Sequence, residues 1–142
     1  MAYISITDIT AYLSVTQLPN FTDDDRDGNP DPGLLDSIIE VAGNEVDGYL
    51  SSIYQTPFLT GSISSSLPAK VRYATTIFTL EQLYARRDFI GVNNPYTQRA
   101  DLIRGDLRLI GTGVAPLDSN LSRSFQPGFS VLSVNLVNDN FF

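Results

Sequence analysis

The chain has 142 residues and contains neither cysteine nor histidine. Without cysteine there is no disulfide framework and no thiolate metal site. Without histidine there is no imidazole ligand, and the usual general base and the usual switch near neutral pH are missing too. Together these absences remove the ordinary zinc ligands. Lysine is nearly absent as well. Lys70 is the sole example, and Leu67 stands three residues before it, so no Ser-x-x-Lys pair exists. There is no G-x-G-x-x-G and no GK[ST], the glycine-rich patterns that cradle phosphates. No run reaches the roughly 18 apolar residues that span a bilayer. The opening MAYISITDIT has no basic start and no long apolar core, unlike a secretory signal. The expectation is a soluble protein made in a reducing cytoplasm, with no membrane partner, no cofactor and no enzymatic activity. Paired carboxylates for sugar hydrolysis are a poor fit, because the acids cluster in one turn with few large aromatics around them.

What is present suffices for one domain. Hydrophobic residues make up 42% of the chain, enough for a core. The charge is uneven. Residues 1–69 hold ten acidic side chains and one basic one, Arg26, whereas residues 70–108 hold seven basic and four acidic ones. Residues 109–142 add one base and two acids, for a formal net charge of −7. An acidic and a basic half allow one copy to meet the next, although scattered solvated charge explains the pattern as simply. The overall sign disfavours sequence-independent binding to a phosphate backbone.

Apolar periodicity predicts an all-α fold, a small bundle of about four helices with a flexible loop and an extended, β-prone C-terminal arm. Thr7 is a candidate cap for a short helix through Leu13, with Ile6, Ile9, Leu13 and Tyr12 on its apolar side. Pro19 and Asn20 read as a break. Asp31-Pro32 reads as a cap followed by a first-turn proline, opening a helix in which Leu34, Leu35, Ile38, Ile39, Ala42, Val46, Tyr49 and Leu50 form one stripe. Gly43 and Gly48 weaken that helix or permit close packing. The uncharged stretch 56-TPFLTGSISSSL-67 reads as a loop, with Pro57, Phe58, Leu59 and Ile63 more apolar than a linker needs. Ser66 and Pro68 start the longest helix, through about Arg87, with Val71, Ala74, Ile77, Phe78 and Leu83 or Tyr84 inside. Asn94-Pro95 repeats the cap-and-proline device ahead of a helix burying Ala100, Ile103, Leu107 and Ile110 and ending at Gly111 and Gly113. Beyond Leu117 the helical period stops. Phe129, Val131, Val134, Leu136 and Val137 lie in a β-prone run that needs a strand partner. The expected domains are therefore a helical core, 1–117, and an arm, 118–142.

The densest chemistry lies in 22-TDDDRDGNPDPGLLD-36, with six aspartates in fifteen residues. Asp23, Asp25, Asp27 and Gly28 fit the start of a D-x-[DN]-x-[DN]-G calcium loop, Asn29 offers a carbonyl at its seventh place, and Asp31 falls at its ninth. The twelfth place, which needs a bidentate Glu, holds Leu34, so the motif loses its strongest ligand. A calcium-dependent binding module using 23–31 is thus an alternative to an acidic turn whose carboxylates are solvated or face a neighbour's arginines. Asp23, Asp24, Asp25, Asp27, Arg86, Arg87, Phe129, Val131, Val134 and Leu136 are the candidate contacts with other subunits or partners. Arg86 and Arg87 also suit a helix C-terminus through the dipole alone.

The central stretch 45-EVDGYLSSIYQTPF-58 resembles the tailed-phage head–tail connector proteins, the head-completion or adaptor family, and in particular its Mu-like group. The resemblance rests on Glu45, Val46, Asp47, Gly48, Tyr49, Leu50, Tyr54, Pro57 and Phe58. It extends to MAYISITDITAYLSVTQL at the start, to TDDD at 22–25, to 80-LEQLYARRD-88 and to 96-YTQRADLIRGDLRLIGTGVAPL-117. Ile53 departs from the pattern, since the family more often has a basic residue there. The resemblance covers about residues 1–117 and implies a helical adaptor of the virion neck, made in the host bacterial cytoplasm. It implies a homo-oligomeric ring of about twelve copies. Such a ring sits beneath the portal protein, hands over to a stopper or tail protein, and lets DNA pass without sequence-specific binding.

Overall fold

The computed structural model describes residues 2–58 and 67–117. Among them are five α-helices and no strand. These are α1 (Ile6–Thr10), α2 (Pro19–Thr22), α3 (Leu34–Leu50), α4 (Ala69–Ala85) and α5 (Thr97–Gly111), with a 3-10 turn at Gly91–Asn93. The all-α class expected from periodicity is the one observed. Leu59, Ile63, Ser66 and the β-prone run from Phe129 to Val137 lie outside the described residues.

Helices α3, α4 and α5 pack against one another, and α1 and α2 lie along α4. The stripe of α3 behaves as its spacing predicts: Ile38, Ile39, Ala42, Val46 and Leu50 are buried, with Leu34, Leu35 and Tyr49 packed at the edge. Ile53, the position that departs from the connector pattern, is buried beside Tyr54 in the same core. In α5, Ala100, Leu107 and Ile110 face inward and Ile103 is partly covered. The end of α5 runs so close to α3 that a Cβ on Gly111 would stand 2.0 Å from the Tyr49 carbonyl oxygen. The Ser52 hydroxyl closes this contact by donating to the Gly111 carbonyl at 2.7 Å.

The central helix departs from a simple stripe. Besides Val71, Ala74, Ile77, Phe78, Leu80 and Leu83, it buries Thr75, Thr76 and Thr79. These hydroxyls donate to the carbonyls of Val71, Arg72 and Thr75, four residues back, at 2.8, 2.8 and 2.7 Å. Their polar atoms are satisfied within the helix, so α4 can be covered on nearly every side.

Several expected boundaries move. The cap of α1 is Ser5 rather than Thr7, and the Ser5 N–H donates to the Asp8 carboxylate at 2.9 Å. Ile9 and Leu13 are buried as expected, but Ile6 and Tyr12 are exposed, because one and a half turns cannot carry four residues on one face. Pro19 does not break the chain: it opens α2 as a first-turn proline. Asp31 does not cap α3. Its carboxylate is taken by the Asp24 N–H at 2.8 Å, and Gly33, in the left-handed region at φ 76°, precedes the helix instead. A positive φ there suits glycine because it has no Cβ to clash. Helix α4 ends at Ala85, two residues before the expected Arg87. Asn94 accepts the Tyr96 N–H at 3.0 Å, yet α5 begins only at Thr97, so Pro95 is outside the first turn.

Candidate functional site

The acidic turn is a built structure. Arg26 and Gly28 adopt left-handed backbone at φ 63° and 90°. Asp23 accepts the N–H groups of Asp27 and Gly28 at 3.2 and 2.8 Å, Asp25 accepts that of Asp27 at 3.1 Å, and Asp27 accepts that of Asn29 at 2.8 Å. Asp and Asn side chains fold such turns by replacing main-chain acceptors. One oxygen from each of Asp23, Asp25 and Asp27 lies within 4.8 Å of the others. The two leading carboxyls diverge. Desolvation works to raise Asp23, but the N–H of Gly28 and further donors outweigh it and hold the group below the usual carboxylate range. The Asp27 N–H lowers Asp25, but the hydrogen bond with Asp23 and repulsion from Asp27 and Asp31 push it up.

Arginines from the end of α4 hold this turn within the same chain. Arg86 pairs with Asp24 at 2.5 Å. Arg87 reaches Asp24 at 3.1 Å and also donates to two main-chain carbonyls, of Asn20 at 2.7 Å and of Asp23 at 3.1 Å. Of the candidate contact residues, Asp23, Asp24, Asp25, Asp27, Arg86 and Arg87 therefore come together at one end of the bundle. Phe129, Val131, Val134 and Leu136 lie outside the described residues.

Two polar sites escaped the reading of the residues. In the first, the Arg104 guanidinium of α5 joins three helices. It pairs with Glu45 of α3 at 2.7 Å, Glu81 of α4 at 2.6 Å and Asp101 at 3.1 Å, and lies 4.8 Å from the centre of the Phe78 ring. Burial acts to lower its pKa, but the bonds to Glu81 and Glu45 outweigh this and drive it further up. In the second, the Tyr3 hydroxyl donates to Asp47 at 2.6 Å and accepts the Phe58 N–H at 2.8 Å, tying the first residues to α3 and to the chain beyond it. Desolvation raises Tyr3 and also raises Asp47. Glu45 and Arg104 stand 59 residues apart, and neither carries a local pattern that names its partner.

An aromatic cluster borders the acidic end. Tyr84 lies 4.6 Å from Phe21, 5.7 Å from Phe89 and 5.4 Å from Tyr96 between ring centres, and Tyr96 in turn meets Tyr12 at 6.4 Å. Ile90 and Val92 project nearby into solvent, while Leu102, Leu109 and Val114 are exposed at α5 and just past it. Among the described residues, no helix is long and apolar enough to cross a membrane.

These features define a small all-α protein whose chemistry lies in charged and apolar surfaces set on a helical core. Residues 3–126 match the family model described as Bacteriophage Mu, Gp36, and the chain belongs to that family of Mu-like phage proteins. No curated protein and no solved structure matches it.

Proposed function

We propose that the protein is a non-enzymatic structural component of the virion, a head–tail connector that assembles as a ring beneath the portal and links the capsid to the neck or tail. The observation that carries this reading is the match to the Mu phage family over most of the chain. The pattern around Asp47, Gly48, Tyr49 and Leu50, with Tyr54, Pro57 and Phe58, supports the connector role. So do an acidic turn mounted on two arginines and apolar side chains left at the surface. Exposed apolar patches bounded by charge are what a subunit offers to its neighbours. An acidic channel wall would repel DNA phosphates and let the duplex pass without sticking. The test is a clean deletion in the phage. Particles lacking the protein should hold DNA poorly and carry no tails, and electron microscopy of complemented particles should show a ring at the neck. Normal infectious, tailed particles from the deletion would refute the reading.

A second reading, a calcium-dependent binding module, draws on the three carboxylate oxygens gathered from Asp23, Asp25 and Asp27. Against it, Leu34 supplies no bidentate ligand and packs against the core, and Asp31 is engaged by the Asp24 N–H. A large calcium-induced rise in melting temperature, abolished by Asp25→Ala, would favour it over the connector.

A further inference from the structure

Two apolar features stand at opposite ends of α4. At its N-terminal end an open groove of about 540 Å³ runs between α1 and α4. Tyr12, Leu67, Pro68, Ala69 and Tyr73 form its apolar walls, and the Asp8–Arg72 ion pair, 2.8 Å long, spans it. At the C-terminal end the chain turns through Asp88, at φ 63°, and carries Phe89, Ile90 and Val92 outward. Val92 is wholly exposed.

This tip is held in shape. The Phe89 N–H donates to the Tyr84 carbonyl at 3.2 Å, and the Asn94 N–H to the Gly91 carbonyl at 3.1 Å. The buried Asn94 side chain donates to the Glu81 carbonyl at 2.9 Å, fixing the turn to α4. An ordered aliphatic tip in water forgoes the free energy that covering its apolar surface would release. A partner that covers it recovers that energy, with little ordering cost because the turn is already formed.

Charge distinguishes the two ends. The tip lies beside the Asp-rich turn, which Arg86 and Arg87 hold there, and Asp88 adds a further carboxylate. The groove end carries the Arg72–Asp8 pair, and Lys70 stands next to it in the first turn of α4, outside the groove lining. Neither Lys70 nor Asp88 forms an ion pair among the described residues. The groove lies along the first turns of α4 and the tip beside Glu81, Gln82 and Ala85 in its last turns, so at 1.5 Å per residue roughly 18 Å of helix separates Ala69 from the tip. One chain therefore cannot fill its own groove with its own tip. Two copies can, head to tail, in a heterologous contact, the kind that builds a ring when the rotation from copy to copy closes.

We propose that the 90–92 tip of one copy seats in the α1–α4 groove of a second copy, with Asp88 meeting Lys70. This rests on the ring reading above and names the faces through which neighbours touch.

The absence of native cysteine allows a direct test on the full chain. Val92→Cys and Ala69→Cys are made separately, mixed, and oxidised under conditions in which native mass spectrometry of the parent shows oligomers. The mixture should give a covalent dimer at least tenfold more abundant than either variant alone, since a disulfide requires Cα atoms within about 7 Å. In parallel, Val92→Asp should melt like the parent and lose assembly at least tenfold. Oligomers with no mixed disulfide, or full assembly of Val92→Asp, would overturn the contact while leaving the ring intact. A Tyr12→Cys, Ile63→Cys double variant that closes within one chain while oligomers persist would place the chain's own 59–66 segment in the groove, again overturning the contact alone. A parent that remains monomeric at every soluble concentration and in the particle would overturn both contact and ring.

Discussion

Arg104 and Glu81 meet as a fork across α4 and α5, with Nη2 2.6 Å from Oε2 and Nη1 3.3 Å from Oε1. Both side chains are largely covered, and the same guanidinium also satisfies Glu45. Arg104→Ala would leave the largely covered Glu81 and Glu45 carboxylates, with the more exposed Asp101 nearby, without their cation. The expected loss is about 3 kcal/mol in urea denaturation. Arg104→Lys keeps the charge but loses the planar fork, so it should fall between the two. Parent-like stability of Arg104→Ala would show that the network contributes nothing.

Asp8 and Asp47 should respond to acid with opposite signs. Asp8 lies below its ordinary value of 3.8, chiefly through the Ser5 N–H, with help from Arg72. A lowered folded-state pKa means that its stabilisation is present above the unfolded value and lost as pH falls through the folded one. Asp8→Asn should therefore be less stable than the parent at neutral pH, and the gap should close in thermal melts below pH 3.8.

Asp47 is displaced the other way by desolvation. Its folded state holds the proton more tightly, so its contribution improves as pH falls through the raised value and is unfavourable above it. Asp47→Asn keeps an acceptor for the Tyr3 hydroxyl, and at pH 7 it should melt at or above the parent temperature. Asp47→Leu removes the acceptor and should cost about 1–3 kcal/mol, the penalty for an unsatisfied buried hydroxyl. A lower melting temperature for the Asn variant at pH 7 would contradict this assignment.

Gly111→Ala tests the close approach of α3 and α5. The new methyl would meet the Tyr49 carbonyl oxygen at 2.0 Å, so main chain must move. A loss of about 1–3 kcal/mol is expected from such overpacking. Gly105→Ala meets nothing within 4 Å and serves as the control, expected to be neutral or stabilising.

Arg87 and Arg86 should differ although they are neighbours. Among the described residues, Arg87 holds two carbonyls and a carboxylate, whereas Arg86 holds only Asp24 at a half-exposed surface. Arg87→Ala should cost about 1–2 kcal/mol and raise amide exchange across 20–28. Arg86→Ala should cost under about 1 kcal/mol and leave that exchange unchanged. Equal effects would mean that charge alone holds the turn.

The core was legible where one helix face meets one core. The stripe from Ile38 to Leu50 and the inward set Ala100, Leu107 and Ile110 follow from spacing alone. Thr75, Thr76 and Thr79 were not legible, because residues that bond back into their own helix look polar in sequence and behave as core. The Asp31 cap failed for a related reason. A cap and a loop tie use the same carboxylate, and the competing donor, the Asp24 N–H, is brought near only by the fold. The nearness of the Asp-rich turn to Arg86 and Arg87 is equally tertiary, since more than 60 residues separate the partners. Opposite charge made the pairing conceivable, but only the packing of α2 on α4 places both partners in one chain.

Arg87 grips the turn largely by main-chain oxygens, and every amino acid has one. The grip on the helix end therefore rests on Asp24 and on main chain, not on the side chains at 25–27. Asp25 and Asp27 serve a separate purpose, since their carboxylates accept the N–H groups of Asp27 and Asn29 and so shape the turn itself. Arg26, which accepts none of these N–H groups, is the position of the turn where the displayed side chain can change while both the grip and the turn keep their bonds.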